Sequence, residues 1–172
     1  MDILATERLR LRELTPDDLP VLRRMMQDEQ VMYAFNGPFG DEEMREWLDR
    51  QFTRYREYGH GLWAVVLKET GEVIGRCGLT IQPWKDRQLL EVGYLFSKEH
   101  WRKGYATEAA SACLQYAFDH LEAPAVCALI LDTNAASRRV AERLGMRPVD
   151  TWTRSYRGVD MPQVLYEVKR MD

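Results

Sequence analysis

The chain has 172 residues, of which 45% are hydrophobic and 30% are charged, and its formal net charge is −3. A chain of this length suits one domain with a sizeable buried core, and the composition is typical of globular proteins. The dispersed basic residues and short apolar runs argue against a broad nucleic-acid surface and a membrane-spanning segment. We therefore expect a single domain over residues 1–172 with no nucleic-acid or membrane partner, and the N-terminus lacks the pattern of a signal peptide.

The first half of the chain predicts a strand and two helices. Near-alternating leucines from Leu9 to Leu14 indicate the strand. Thr15 and Pro16 are a start signal for a helix that runs to about residue 27. A second helix is predicted after Gly40. Its apolar stripe comprises Met44, Trp47, Leu48 and Phe52.

The rest of the chain predicts a hairpin followed by alternating strands and helices. The hairpin is indicated by two apolar runs that flank a short turn containing Gly71. A continuous apolar run later in the chain predicts a central strand. The predicted elements are, in order, strands at 63–67, 73–81 and 89–96, a helix at about 106–121, a strand at 125–131, a helix after Asn134, and two strands around Arg157 and Gly158.

The three cysteines, Cys77, Cys113 and Cys127, have no spacing typical of a disulfide framework or a zinc site. Their number is odd, and each lies in a segment that predicts a core element. We expect them to be buried thiols in a reducing compartment, which predicts a cytoplasmic protein without a metal site.

A basic, glycine-bearing loop separates the strand predicted at 89–96 from the helix that follows it. A helix N-terminus leaves backbone N–H groups unpaired and attracts anions. Gly104 lets the backbone approach a ligand closely, while Arg102 and Lys103 add positive charge. The pattern predicts a pyrophosphate cradle, although an ordinary helix start beside a surface Arg-Lys pair would give the same local sequence.

A second segment, residues 134–146, follows the apolar strand about thirty residues later and predicts a helix that ends at Gly145. In this order the two segments resemble the acetyl-CoA-binding core of the GNAT superfamily of N-acetyltransferases. The superfamily loop is Gln or Arg, two residues, Gly, one residue, then Gly or Ala; here Trp101 takes the first place, with Gly104 and Ala106 in the others. With Trp101 there, the loop is similar to the branch that includes the N-terminal acetyltransferases of ribosomal proteins.

The resemblance implies a single-domain α/β fold, with a mixed, largely antiparallel twisted sheet flanked by helices. It also implies acetyl-CoA as cosubstrate and no metal. Gly93 interrupts its strand, and the family uses a bulge at such a place to separate two strands and admit pantetheine. The residues expected to bind acetyl-CoA are Leu95, Phe96, Arg102, Lys103, Gly104, Tyr105, Ala106, Thr107, Asn134 and Ser137.

Glu91 is the candidate general base. A carboxylate on an otherwise apolar strand costs free energy unless it is paired or used, and family members carry a base at a similar position. A solvent-facing or salt-bridged glutamate is the alternative. Where many members have a tyrosine that protonates the leaving thiolate, this chain has Ala141. We name Ser137 as the substitute, although a hydroxyl at a helix start also commonly bonds the backbone. His60, His100 and His120 are expected to be surface residues.

The acceptor is expected to be an amine, either a peptide N-terminus, a drug-like amine or an amino acid. Tyr33 and Asn36 lie between the first two helices, and Trp84 lies after Pro83 in what we predict to be a loop. In this fold such loops border the acceptor side, so we expect these three residues to bind the acceptor. Phe35 is expected to be core instead.

Three functional hypotheses follow. The first is an acetyl-CoA-dependent N-acetyltransferase, monomeric or homodimeric, in which the amine attacks the thioester directly in a ternary complex. The second is a catalytically weak CoA-binding sensor, which Ala141 keeps open and Glu91 argues against. The third is a phosphate-binding scaffold unrelated to CoA, which the segment 134–146 disfavours.

Overall fold

The computed structural model describes residues 1–171, which form one eight-stranded sheet flanked by helices. The described elements are, in chain order, β1 (Asp2–Ala5), β2 (Leu9–Arg12), α1 (Leu19–Met26), α2 (Glu29–Met32), α3 (Asp41–Tyr58), β3 (Leu62–Leu67), β4 (Val73–Trp84), β5 (Arg87–Phe96), α4 (Tyr105–His120), β6 (Ala125–Leu131), α5 (Ala135–Arg143), β7 (Arg147–Tyr156) and β8 (Val159–Lys169).

The strand order is β1-β2-β3-β4-β5-β6-β8-β7, and each neighbouring pair is antiparallel except β5 and β6, which are parallel. The expected mixed, largely antiparallel α/β sheet is confirmed. β4 and β5 pair from Gly75↔Phe96 to Trp84↔Arg87, but β5 and β6 share the single pair Glu91↔Cys127. The sheet therefore opens between β5 and β6 immediately after Glu91.

The sheet is covered on both faces. Along β3, Trp63 and Val65 pack in the core cluster that contains α4, whereas Leu62 and Ala64 pack in the cluster that contains α1, α2 and α3. Because successive side chains of a strand point to opposite faces, α4 lies on one face and α1–α3 lie on the other. Burial on both faces explains why β3 is apolar at every position.

Two short elements were not predicted from the sequence. β1 has only four residues, and it pairs with β2 through an irregular register. α2 is a single turn that follows the N-cap Asp28, whose carboxylate accepts hydrogen bonds from the N–H groups of Gln30 and Val31. Among residues 1–171, no helix combines the length and apolar character that crossing a bilayer requires.

The β4–β5 ladder has no bulge at Gly93, which pairs with Gly78 in unbroken register. Gly78 allows a close backbone approach instead, because a Cβ there would lie 2.0 Å from the carbonyl oxygen of Gly61. The separation of strands occurs on the other edge of β5, where pairing with β6 stops after Glu91.

Candidate active site

A cavity of about 380 Å³ lies at the opening between β5 and β6. Its walls come from both faces of the sheet. One part is formed by β5, β6 and the start of α5, and the other by α3, β4, β7 and the segment around Phe35. The opening in the sheet therefore joins two sides of the cavity, one bordered by α5 and the other by α3.

Glu91 lies in this cavity at the last point where β5 and β6 pair. Its Oε2 accepts a hydrogen bond of 3.1 Å from the N–H of Leu129, which fixes the carboxylate across the opening. Burial raises the pKa of Glu91 to about 7, against the lowering effects of this hydrogen bond and of nearby arginines. A carboxylate that titrates near neutral pH can accept a proton there and release it again.

Ser137 and Tyr94 form a hydroxyl pair in the wall bordered by α5. The Ser137 hydroxyl donates to the Tyr94 hydroxyl at 3.0 Å, and the Tyr94 hydroxyl donates to the Ser137 carbonyl oxygen at 2.9 Å. Burial raises the pKa of Tyr94 above its ordinary value, so the phenol keeps its proton at neutral pH. Sequence analysis named Ser137 and missed Tyr94.

Asn134 borders the same wall and begins α5. Its Oδ1 accepts a hydrogen bond from the N–H of Ser137 at 3.2 Å. Asn134 is therefore the N-cap of α5, as its position before the helix allows. Among the strand residues expected to bind acetyl-CoA, Leu95 lines the cavity. Phe96 is buried, and its carbonyl oxygen accepts a hydrogen bond of 2.8 Å from the Trp101 indole.

The basic loop has the conformation of an open anion site. Arg102 and Gly104 both have positive φ, at 63° and 82°, and Gly104 provides no side-chain cap for α4. The N–H of Glu108 donates to the carbonyl oxygen of Gly104, which leaves the preceding amides of the helix without a helical acceptor. The Thr107 hydroxyl is buried and has no partner among the described residues. These features fit a bound phosphate group.

Glu108 attaches this loop to the N-terminal hairpin. Its carboxylate accepts hydrogen bonds from the Thr6 hydroxyl at 2.6 Å, the Arg8 N–H at 2.9 Å and the Arg8 Nε at 2.8 Å. The Arg8 guanidinium also lies 4.4 Å from the centre of the Tyr105 ring. A Cβ on Gly104 would meet the Arg8 Nη2, the end of a long side chain, at 3.3 Å, and the φ of 82° disfavours any side chain at this position.

The side of the cavity bordered by α3 contains four arginines that sequence analysis did not single out. They are Arg50 and Arg54 of α3, Arg76 of β4 and Arg154 of β7. Aromatic residues Phe35, Trp47 and Tyr156 line the same side. The one sequence signal was Arg76, which is the single charged residue of β4.

Of the expected acceptor-binding residues, Trp84 requires correction. Trp84 is 0% exposed, belongs to β4 rather than to a loop, and donates from its indole to Asp150 at 2.8 Å. Its indole is therefore unavailable to a ligand. Tyr33 is 47% exposed but does not line the cavity, and neither does Asn36. Phe35, expected to be core, does pack against the core cluster that contains α1, α2 and α3, and it also lines the cavity.

The expected surface position of His60 is also wrong. This residue is buried, and its Nδ1 lies 2.7 Å from the carbonyl oxygen of Leu79. The cysteines are free and buried, as expected. Cys77 and Cys113 lie with their sulfurs 3.7 Å apart and outside the cavity wall. Within residues 1–171, no cluster of His, Cys, Asp and Glu side chains has the arrangement of a metal site.

Residues 8–147 match the family model described as "Acetyltransferase (GNAT) domain". The chain belongs to the GNAT acetyltransferase family. It is 36% identical to the uncharacterized protein YkkB of Bacillus subtilis (strain 168), over 96% of this chain and 95% of that protein. It is 30% identical to the uncharacterized N-acetyltransferase p20 of Bacillus licheniformis, over 86% of this chain and 83% of that protein.

Solved structures agree with this GNAT assignment. An acetyltransferase from Agrobacterium tumefaciens str. C58 superposes with a TM-score of 0.83 at 30% identity, covering 97% of this chain and 94% of that one. RimL, a ribosomal L7/L12 α-N-protein acetyltransferase in complex with coenzyme A, superposes with a TM-score of 0.80, covering 98% of each chain. Its identity is 14%, so this second similarity shows a shared fold.

Proposed function

We propose that this GNAT protein transfers an acetyl group from acetyl-CoA to a primary amine by direct attack in a ternary complex. The observation that carries the proposal is the position of Glu91, a carboxylate with a pKa of about 7, in the cavity at the opening of the sheet. A hydroxyl pair, Tyr94 and Ser137, lines the same cavity. A proton acceptor and a proton donor are therefore both available to one reaction.

The donor site we propose runs from the basic loop to the opening in the sheet. The backbone amides of residues 102–107 and the unpaired Thr107 hydroxyl would hold the pyrophosphate, with Arg102 and Lys103 adding positive charge. Tyr105 and Ala106 form the first turn of α4 beneath it. Leu95, Phe96 and Asn134 would border pantetheine, and the cosubstrate supplies the acetyl thioester.

Glu91 is proposed as the general base. An ammonium has no lone pair, so the acceptor amine must lose a proton before it can attack a carbonyl carbon. Above a pH of about 7, Glu91 is ionised and can take that proton, directly or through water. Its hydrogen bond from Leu129 holds the carboxylate towards the opening, where the acetyl group would be presented.

The hydroxyl pair is proposed to protonate the departing thiolate. Both hydroxyls are protonated at neutral pH, and either can turn its O–H towards a group in the cavity. Tyr94 thus offers a phenol from β5, although α5 carries Ala141 at the position where many relatives have a tyrosine. This arrangement favours an enzyme over a CoA-binding sensor, because a sensor needs the anion-binding loop but needs no general base.

We further propose a cytoplasmic enzyme, since three unpaired cysteines are typical of proteins in a reducing compartment. The decisive test is release of free thiol from acetyl-CoA in the presence of a panel of amines that includes peptides beginning with Ala or Ser. Calorimetric titration of acetyl-CoA runs in parallel. We expect binding and amine-dependent thiol release; binding without release for every amine would favour the sensor.

A further inference from the structure

The cavity holds more positive charge than its one carboxylate can balance. Among the described residues that line it, the charged groups are Glu91 and the four arginines Arg50, Arg54, Arg76 and Arg154. None of these arginines forms an ion pair with a carboxylate in the part of the chain that the structure describes.

The four arginines are not equivalent. Arg50 and Arg54 also border an outer surface of α3 beside Glu46 and Asp49, so part of their charge faces acidic residues. Arg54 additionally donates to the side-chain oxygen of Gln51 at 3.2 Å. Arg76 and Arg154 have no such acidic neighbours in the cavity wall other than Glu91. The strongest unbalanced charge therefore comes from Arg76 and Arg154.

Arg76 is the deepest of these residues, with 4% of its surface exposed. Its guanidinium lies 4.8 Å from the centre of the Trp47 ring and 5.6 Å from that of Phe35. Its Nε is buried and has no hydrogen-bond partner within residues 1–171. Burial lowers the pKa of Arg76 to about 10, so it still carries its charge at neutral pH.

A buried, unpaired charge is costly for a folded protein. The cost is recovered when a ligand supplies the opposite charge, and a guanidinium fixed on aromatic rings is preorganised for two parallel hydrogen bonds to an anion. The wall therefore has the properties of an anion site and shares one cavity with the proposed base.

Phe35 and Tyr156, which line this cavity, lie on two segments that contact each other. Arg157, at the β7–β8 turn, donates to the carbonyl oxygens of Asn36 at 3.2 Å, Gly37 at 2.9 Å and Pro38 at 3.1 Å. The rings of Phe35 and Tyr156, which precede these two turns, lie 6.1 Å apart. Because the turns are held together, this side favours a small molecule over an extended chain.

We infer that the acceptor is a small amine that also carries an anionic oxygen group, a carboxylate or a phosphate, which binds Arg76 and Arg154 while the amine faces Glu91. This inference rests on the proposed acetyl transfer and names its substrate class. Amines without such a group leave the arginines unpaired and are poorer acceptors.

The first test compares matched acceptors: 4-aminobutyrate with butylamine, glycine with glycinamide, and phosphoethanolamine with ethanolamine. We expect kcat/KM to be about tenfold or more higher for the more anionic member of at least one pair, as for one charge-assisted double contact. The first two pairs test a carboxylate and the third tests a phosphate. Equal kcat/KM values within all three pairs, or a peptide beginning with Ala that exceeds all of them, would overturn the inference.

The second test uses Arg76→Gln and Arg154→Gln, with Arg45→Gln as the matched control because Arg45 is an exposed arginine of α3 outside the cavity wall. The two cavity variants should lose most of the preference for anionic amines, and the control should keep it. All three should bind acetyl-CoA like the wild type, which separates this site from the donor site. Retention of the preference in both cavity variants would refute the assignment.

A third measurement does not depend on turnover. Glutarate should raise the unfolding temperature of the wild type and of Arg45→Gln, and glutaramide, which has the same skeleton without charge, should not. Arg76→Gln should show no shift with glutarate. If the wild type fails to bind acetyl-CoA, the proposed function fails; if acetyl-CoA binds and glutarate gives no shift, this inference alone fails.

Discussion

Tyr94 and Ser137 are 43 residues apart in the chain, yet their hydroxyl oxygens lie 3.0 Å apart in the cavity wall. The bond is reciprocal, because the Tyr94 hydroxyl donates to the backbone carbonyl of Ser137 at 2.9 Å. The start of α5 is thereby attached to β5 beside the opening in the sheet. In the proposed reaction, the two hydroxyls act as one proton source for the thiolate.

Tyr94→Phe keeps the aromatic ring and removes one hydroxyl of this pair, and Ser137→Ala removes the other. Each variant should lower kcat by about tenfold, which is modest for acid catalysis because a thiolate is a good leaving group. Since the hydroxyls act together, the double variant should be little slower than either single variant. Steady-state kinetics of the three variants checks this, and multiplicative losses would show that the hydroxyls act independently.

Glu91→Gln should bind acetyl-CoA like the wild type and turn over about a hundredfold more slowly, because the amide cannot accept the proton of the amine. The wild-type rate should rise with pH through about 7, where Glu91 becomes ionised. The deficit of the variant should shrink at high pH, where more of the amine is already neutral. Rate profiles from pH 5 to 10 measure both effects. Equal rates for the wild type and the variant at pH 7 would show that Glu91 has a structural role only.

The same residue predicts a pH dependence of stability. The pKa of Glu91 is about 7 in the folded protein and 4.5 in an unperturbed side chain, so between these values the folded state binds more protons than the unfolded state. The contribution of Glu91 to the free energy of unfolding therefore falls as the pH rises through this window. Urea denaturation should show that the free energy of unfolding of Glu91→Gln, relative to that of the wild type, is higher at pH 8 than at pH 5. Glu46→Gln, at an exposed site on α3, is the control and should show no such gain.

Gly104→Val should abolish acetyl-CoA binding. The substitution places a branched side chain at φ 82° in the basic loop, beside the amides proposed to hold the pyrophosphate. Gly71→Val is the matched control, because Gly71 has φ 76° and open space around it in the β3–β4 turn. Both variants carry the same backbone strain, but only the first should lose affinity in calorimetry. Unchanged affinity in Gly104→Val would place the pyrophosphate elsewhere.

The reaction is expected to proceed without an acetyl-enzyme. Cys77 lies in β4 next to the strand of Glu91, but it is fully buried against Cys113 and outside the cavity wall. Cys113 is buried in the same way, and its contact with Cys77 raises its pKa. Two-substrate initial-rate plots should intersect, and the intact mass after incubation with acetyl-CoA alone should be unchanged. A stoichiometric acetyl adduct that Cys77→Ala abolishes together with activity would contradict direct attack.

Local sequence signals predicted the elements that carry the donor site. The apolar run of β6 and the N-cap at Asn134 are visible without tertiary context, because strand burial and helix capping depend on adjacent residues. Tyr94 was missed because it alternates with Val92 and Phe96 and so matches an ordinary core position. Its partner is set by the packing of α5 on the sheet, which no spacing reveals.

The acceptor side was harder to predict for the same reason. Arg76 and Arg154 come from strands that are not neighbours in the sheet, and α3 brings two further arginines to them. Trp84 was assigned to a loop because Pro83 precedes it, but Pro83 lies near the end of β4 where the two-residue turn to β5 begins. Composition and periodicity give the fold of this region, and only the three-dimensional structure shows which charges converge.

The single pair that joins β5 to β6 divides the sheet into a five-strand half and a three-strand half. Glu91 takes part in that pair and also spans the division through its hydrogen bond from Leu129. The proposed base therefore also links the two halves of the sheet. When Glu91 gains a proton during turnover, its carboxylate becomes a weaker acceptor for the Leu129 N–H. The hydrogen bond between the two halves is therefore weakest from the proton transfer that precedes attack until Glu91 releases that proton.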